Sequence, residues 1–136
     1  MKSRLTPIAD FAFYLGLALL FSHELDAMPN HEWRLLPILR SLPDAAGETA
    51  FMVAHIPIFA IVIGCIASLN VGTRSVARTL VSAFLVLHAG LHFLFSKNET
   101  YEFGSMASSL LIYGAAILGA AFLLARWLDK RKRIPR

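Results

Sequence analysis

Four runs of mostly apolar residues, each close to the length of a membrane-spanning helix, constrain the fold of this chain more than any other feature. A spanning α-helix needs about 20 such residues. The runs Phe51 to Leu69, Thr79 to Phe95 and Gly104 to Leu124 qualify, and a weaker run from Leu5 to Leu25 is also long enough. The sequence therefore predicts an all-α integral membrane four-helix bundle. It would form a single transmembrane domain over residues 1–136, with spans near 6–26, 50–69, 76–96 and 104–125.

Composition excludes several other classes of protein. Hydrophobic residues make up 57% of the chain and charged residues 16%, whereas soluble domains average about 45–50% and 25%. A disordered tail and a collagen-like fibre are excluded by this balance. The single cysteine, Cys65, cannot close an internal disulfide, which excludes a disulfide-stapled secreted miniprotein.

The first run allows one alternative, a cleaved signal peptide, because Lys2 and Arg4 precede an apolar stretch of suitable length. No small-x-small cleavage site follows that stretch. It ends instead in the polar cluster Ser22 to Ala27. We therefore interpret the run as a retained span.

Basic residues predict how the bundle is oriented. With four spans, ten of the 13 Lys and Arg residues fall on the side of the two termini and the 70–78 loop, and only Arg34, Arg40 and Lys97 fall on the other. The positive-inside rule then predicts an inner (cytoplasmic) membrane protein with both termini cytoplasmic. The basic run Asp129 to Arg133 is interpreted as a topology anchor that meets anionic lipid, and nucleic acid is not expected as a partner.

The longest connection, residues 27–49, is expected on the extracytoplasmic side. Apolar and charged residues alternate within it, which predicts a short helix lying in the membrane interface and broken near Pro37. Asn30 would cap this helix. Trp33 would lie at the depth of the lipid head groups.

Small residues recur along span four at a spacing that allows close helix approach. Ala115 with Gly119, and Ala116 with Ala120, are small-x-x-x-small pairs. Packing within the bundle is the interpretation we favour. A homo-oligomer formed through span four is the alternative.

The main functional signal is that imidazoles and carboxylates gather at one membrane face. On the predicted topology all five histidines lie at or near the extracytoplasmic side, whereas only two acids, Asp10 and Asp129, lie near the cytoplasm. The remaining acids accompany the histidines: Glu24, Asp26, Glu32, Asp44, Glu48, Glu99 and Glu102.

The helical spacing of these histidines and acids predicts a metal site. His88 and His92 are four residues apart and share one face of span three, and His23 and Asp26 share a face of span one. Bundles build metal sites from side chains on facing helices. We therefore expect a divalent transition metal, either zinc, iron, manganese or copper. The expected ligands are His23, Asp26, His55, His88 and His92.

A partial resemblance accompanies these motifs. The segments His23-Glu24-Leu25-Asp26-Ala27 and His31-Glu32-Trp33-Arg34, with the later pair His88 and His92, resemble small bacterial four-helix membrane proteins of uncharacterised function. The first-helix pattern is also similar to the family named for its H-x-x-E-E motif, with Asp26 and Ala27 replacing the two acids. The resemblance implies a membrane helical bundle with a polar site, and no particular reaction.

Three classes of function remain open from the sequence. The leading one is a membrane metal-binding protein. In its enzymatic form it would act on a lipid-like or membrane-delivered substrate, with Glu24 as the catalytic base for a metal-bound water. The alternatives are a haem-binding electron-transfer protein and a non-catalytic interaction or transport-accessory subunit. Whether Glu32 and His31 join the site also stays open, with exposure favoured for His31.

Overall fold

The computed structural model describes residues 5–132 and has no β-strand in that range. Each of its four long helices is long and apolar enough to cross a membrane, which indicates a multi-pass membrane protein. The predicted all-α fold is therefore confirmed. Lys2, Arg4, Arg133 and Arg136, four of the basic residues used for orientation, lie outside the described residues. The helices are α1 Leu5–Ala27, α2 Asp44–Ile66, α3 Val71–Phe95 and α4 Met106–Lys132.

Helix α4 is the centre of the bundle, since α1 and α3 both pack along it. Small residues make this close approach possible. A Cβ atom on Gly119 would lie 2.7 Å from the Ser82 carbonyl oxygen of α3, and one on Gly16 of α1 would lie 3.6 Å from the Ala115 carbonyl oxygen. Ala115 and Gly119 therefore pack inside the bundle, as the favoured interpretation of span four expected. Association through this helix stays a prediction.

Helix α2 is peripheral. It packs against α3 and against the segment that precedes it, and only 11% of its apolar window is buried. Its aliphatic side chains, such as Ile56 and Ile61, are about two-thirds exposed. Beyond its polar first turns, an exposed apolar surface of this kind suits a helix whose neighbours are lipid chains.

The segment between α1 and α2 differs from the expected interfacial helix. It forms two 3-10 turns, Glu32–Arg34 and Leu39–Ser41. Asn30 does not cap the first turn. Its side-chain amide instead donates to the Asp26 carbonyl oxygen at the end of α1, at 2.7 Å. Trp33 is 2% exposed and packs against protein, because it fills a notch in α2 described below.

We call the end of the bundle that carries residues 28–43 the histidine end, and the opposite end the arginine end. At the arginine end, Arg78 of α3 pairs with Asp10 of α1, and its guanidinium lies 4.6 Å from the Phe13 ring centroid. Arg126 of α4 donates to the Ser75 carbonyl oxygen at 2.8 Å. These contacts tie α1, α3 and α4 together at that end.

Candidate metal centre

Four side chains from three parts of the chain meet at the histidine end. They are His23 near the end of α1, Glu32 in the first 3-10 turn, and His88 and His92 in the last turns of α3. One ligand atom from each lies within 4.8 Å of all the others. His23, Glu32 and His92 are between 1% and 7% exposed, so this cluster is shielded from its surroundings. We call it the metal cluster.

Several separations between atoms of the metal cluster are close to those of ligands around one ion, and all four ligand atoms lie within 4.8 Å of one another. His88 Nε2 and His92 Nε2 are 3.1 Å apart, Glu32 Oε2 is 3.4 Å from His23 Nε2, and Glu32 Oε1 is 3.7 Å from His92 Nε2. Two atoms that each lie about 2.1 Å from a common ion are about 3.4 Å apart in tetrahedral and about 3.0 Å apart in octahedral geometry. The cluster is therefore close to the size that a transition-metal ion requires.

Hydrogen bonding within the cluster is incomplete. Both ring nitrogens of His23 and the Glu32 Oε2 atom are buried and have no hydrogen-bond partner among the described residues. A buried polar atom without a partner costs about 1–3 kcal/mol. A metal ion would satisfy one imidazole nitrogen of His23 and the Glu32 Oε2 atom through their lone pairs, and this observation supports a metal more strongly than the residue types alone.

Tyr101, in the loop between α3 and α4, orients one of the imidazoles. Its hydroxyl lies 3.2 Å from His92 Nδ1, which leaves His92 Nε2 facing the other members of the cluster. Burial, together with the nearby Tyr113 and Glu32, raises the pKa of Tyr101 to about 12, so the phenol stays neutral at physiological pH. An acceptor on the far nitrogen is the usual way in which a metal-binding histidine is held.

The Glu32 carboxyl is held in its ionised form. Burial opposes ionisation, but the facing imidazoles of His23 and His92 more than offset that effect and lower the pKa of Glu32 to about 2. The cluster therefore offers an anionic oxygen at neutral pH. One carboxylate beside three imidazoles is a ligand set typical of divalent transition metals.

Glu32 reaches the cluster because the chain reverses sharply after α1. His31 adopts a left-handed conformation with φ 49° and ψ 44°, and the 3-10 turn begins at the next residue. Trp33 then anchors the turn on α2. Its indole Nε1 donates to Asp44 Oδ1 at 3.0 Å, and its Cδ1 lies 3.0 Å from where a Cβ atom on Gly47 would be. A side chain at position 47 would crowd this ring and the Leu39 carbonyl oxygen, which is 3.0 Å from the same point.

Charged contacts fix the same turn from outside. Arg34 binds both carboxylate oxygens of Asp44, at 2.9 and 2.7 Å, and lies 3.5 Å from Glu102 Oε1. His31 Nδ1 is 2.8 Å from Glu102 Oε2. Residues 31, 33 and 34 thus attach the turn to α2 and to the α3–α4 loop, while Glu32 between them points inward.

The structure brings together three of the five expected ligands, His23, His88 and His92. His55 is not part of the metal cluster. Its Nε2 lies 2.9 Å from Glu24 Oε2, and its Nδ1 lies 2.7 Å from the Phe51 carbonyl oxygen, so both nitrogens are engaged elsewhere. Glu24, the expected base, is likewise engaged with His55. Asp26 is also outside the cluster, although its Oδ2 atom is buried without a partner among the described residues.

Glu32 is the member that sequence reasoning left open. It lies in a segment without helical or strand periodicity, so spacing does not reveal which way its side chain points. One signal was present, namely that this acid is followed by the apolar residues Trp33 and Leu35, both of which are buried. His31, for which exposure was favoured, lies outside the cluster and is about one-third exposed.

A small cavity adjoins the cluster. It has a volume of about 50 Å³, and Glu32, His88 and His92 line it together with apolar side chains of the 3-10 segment and α3. Since one water takes about 30 Å³ in the liquid, the cavity has room for a water molecule or a ligand of a few atoms. The cluster is therefore accessible to a small exogenous ligand.

A known protein family matches the part of the chain that contains the metal cluster. A family model described as a family of unknown function (DUF6713) matches residues 9–129. The chain belongs to the DUF6713 family. The matched region of this DUF6713 chain includes all four residues of the metal cluster. Comparison with curated proteins and with solved structures gives no match. The expected membership of an uncharacterised family is therefore confirmed, while the resemblance to the H-x-x-E-E family stays a prediction.

Proposed function

We propose that this DUF6713 chain is an integral membrane protein that binds one divalent transition metal ion through His23, Glu32, His88 and His92. The observation that carries the proposal is the convergence of four ligand atoms, one from each residue, within 4.8 Å in a largely buried position, where His23 and Glu32 also have buried atoms without a hydrogen-bond partner among the described residues. Zinc, iron, manganese and copper all accept three imidazoles and a carboxylate.

The distribution of basic residues supports an orientation for this centre relative to the membrane. By the positive-inside rule, the arginine end and the termini are cytoplasmic, and the histidine end faces the extracytoplasmic side of the inner membrane. A metal ion would then reach the cluster from that side, past the 3-10 segment.

A metal-dependent reaction is the second candidate function. The cavity of about 50 Å³ beside Glu32, His88 and His92 favours it, because a reactive centre needs room for a water molecule or a small substrate next to the ligands. A lipid-like or membrane-delivered molecule remains the substrate class we propose. Glu24 is given no role as base here, because its carboxylate is engaged by His55.

The geometry does not favour haem. Two axial histidines must approach an iron from opposite faces of a wide macrocycle. The pairs expected from the sequence join a histidine of α3 to His23 or His55. The His23 ring centroid is only 4.9 Å from that of His88 and 4.8 Å from that of His92, which leaves no room for a macrocycle between them. His55 is engaged by Glu24.

Metal analysis of the purified protein tests the proposal. We expect detergent-solubilised protein to retain about one equivalent of a transition metal, and to bind one equivalent of Co²⁺ after chelation and reconstitution. His92→Ala should remove most of this binding. His55→Ala is the matched control, because it removes an imidazole from the neighbouring helix that lies outside the cluster. Equal metal content in the two variants, or no metal in a folded wild-type protein reconstituted with Co²⁺, Zn²⁺, Fe²⁺, Mn²⁺ or Cu²⁺, would overturn the proposal.

Azide added to the Co²⁺ form tests the second candidate. A change in the visible absorption bands is expected if the small cavity admits a ligand to the ion. Bands that are unaffected at saturating azide would argue against a reactive centre and leave a purely structural metal.

A further inference from the structure

A second polar pair, Glu24 of α1 and His55 of α2, lies outside the metal cluster and has no part in the proposed function. The pair lines one part of a cavity of about 360 Å³ that lies between α1, α2 and α3. All other described residues that line this cavity are apolar. Its volume is in the range of small-molecule sites, which is about 300–1,000 Å³.

The cavity is elongated along the bundle, with its polar pair at one end. On α2 the lining residues extend from His55 to Val62, which is about 10 Å of helix. On α1 they extend from Leu20 to Glu24. The cavity therefore runs from the Glu24–His55 pair toward the arginine end, and it has the shape of a short channel for an alkyl chain.

The cavity is also open to the side. Ile58 of α2 is 49% exposed, and Leu80 and Phe84 of α3 are 64% and 43% exposed, although all three line it. In a membrane this surface faces lipid chains, so a hydrocarbon chain could enter without passing through water.

The polar pair is neutral as a whole. The Phe51 carbonyl can only accept a hydrogen bond, so His55 Nδ1 carries a hydrogen. The contact of 2.9 Å between His55 Nε2 and Glu24 Oε2 then holds one further proton, which belongs either to the imidazole or to the carboxyl. Both arrangements give the pair zero net charge. These contacts leave Glu24 Oε1 as the atom free to bind a ligand, so an uncharged head group that donates a hydrogen bond is the partner that fits.

We propose that this cavity binds the hydrocarbon chain of a single-chain membrane amphiphile whose uncharged hydroxyl head group meets the Glu24–His55 pair. The apolar lining accommodates the chain, and the second carboxyl oxygen of Glu24, Oε1, can accept a hydrogen bond from the hydroxyl at the cavity's end, since both His55 nitrogens are already engaged. A carboxylate or phosphate head group would bring a charge to a neutral pair and bind more weakly. This site does not depend on the metal cluster.

Photolabelling with a diazirine-bearing dodecanol tests the proposal on the full chain in nanodiscs of uncharged lipid. We expect saturable labelling of the cavity walls, on Ile58, Val62 or Leu80, that unlabelled dodecanol displaces. The diazirine analogue of dodecanoic acid, at a pH where it is ionised, should label these positions about tenfold less efficiently at equal concentration.

Two pairs of variants sharpen the test. Val62→Trp fills the cavity and should reduce labelling about tenfold, whereas Ile61→Trp, at a 66% exposed neighbouring position that does not line it, should leave labelling unchanged. Leu80→Phe narrows the cavity at an exposed position and should also reduce labelling, which covers the case in which Val62→Trp fails to fold.

The double variant Glu24→Leu/His55→Leu removes the polar pair without leaving one charge unpaired. We expect it to retain the chain but to lose the preference for the alcohol over a diazirine-bearing dodecane. Labelling spread evenly over exposed helix faces, or equal in Leu80→Phe and Ile61→Trp, would overturn the proposal. An alcohol preference that survives the double variant would also overturn it.

Discussion

Both ends of the bundle bury charged side chains, but the two ends differ in the hydrogen-bond partners that these side chains have. At the arginine end, Arg74, Arg78 and Arg126 each donate to carbonyl, hydroxyl or carboxylate oxygens of neighbouring residues, although the Arg78 Nε atom is buried without a partner among the described residues. At the histidine end, His23 and Glu32 are more deeply buried, yet His23 Nδ1 and Nε2 and Glu32 Oε2 have no hydrogen-bond partner among the described residues. Charged groups that are bound by oxygens of the protein, as at the arginine end, indicate a structural role. Buried metal-ligating atoms that converge without hydrogen-bond partners, as at the histidine end, indicate that an ion binds there.

This difference predicts two kinds of response to substitution. Changes at the arginine end should alter the free energy of unfolding and leave metal affinity unchanged. Changes in the metal cluster should alter metal affinity first, since the 3-10 turn and helix packing also hold its members in place.

The largest expected effect is that of Glu32→Gln at the histidine end. Removing the one carboxylate of the cluster should weaken Co²⁺ or Zn²⁺ binding by about 100-fold or more, because loss of even a supporting residue of a metal site costs about 10–100-fold. Competition with a chromophoric chelator measures this. Glu48→Gln, at an exposed acid near the start of α2, is the control and should bind as wild type. Similar metal affinities for the two variants would contradict the assignment of Glu32 as a metal ligand.

Gly119→Ala tests the close packing of α4 against α3 in the middle of the bundle, between its two ends. The added Cβ would lie 2.7 Å from the Ser82 carbonyl oxygen, so α3 and α4 must separate, at a cost of about 2 kcal/mol. Gly90→Ala is the matched control, because a Cβ there meets nothing within 4 Å and the helix should gain about 0.5–1 kcal/mol. Unfolding in denaturing detergent distinguishes them, and equal stabilities would contradict the close approach of α3 and α4.

Tyr101→Phe separates the orienting hydrogen bond from the ligands. The variant keeps the aromatic ring but loses the oxygen that lies 3.2 Å from His92 Nδ1, and metal affinity should fall about tenfold. Tyr14→Phe, which removes a hydroxyl near the arginine end, should not change it. An unchanged affinity in Tyr101→Phe would mean that the position of His92 is fixed by packing alone.

The smallest effect is expected at the arginine end. Asp10→Asn removes the charged partner of Arg78, but the Asp10 side chain is 44% exposed and solvent screens the pair, so the cost should be about 1 kcal/mol. The melting temperature should fall slightly while metal content stays constant. Loss of metal in this variant would show that the two ends are coupled, contrary to the comparison.

Much of the fold was predictable because it depends on local patterns. The apolar runs predicted four helices, and the four-residue spacing predicted that His88 and His92 share a face. The connection between α1 and α2 was less predictable. Trp33 was expected at the lipid head groups, yet it packs into the notch at Gly47, and no local pattern reveals a notch that another segment will fill.

The candidate site was predictable only in part for the same reason. His23 and the pair on α3 could be assigned to one end of the bundle from topology alone. The direction of His55 depends on how α2 is rotated about its own axis, and that rotation follows from packing against α3 and the 3-10 segment. Glu32 depends on the left-handed conformation of His31, which the residue type permits but does not require.

By itself, the amino-acid sequence determined that the chain forms four apolar helices and gathers its imidazoles at one end, because helix length and side-chain periodicity are properties of neighbouring residues. Only the tertiary structure decided that Glu32, rather than Asp26 or His55, completes the cluster, and that Glu24 and His55 face a separate apolar cavity. Those choices depend on helix rotation and on the path of an irregular segment, which are set by contacts between residues far apart in the chain.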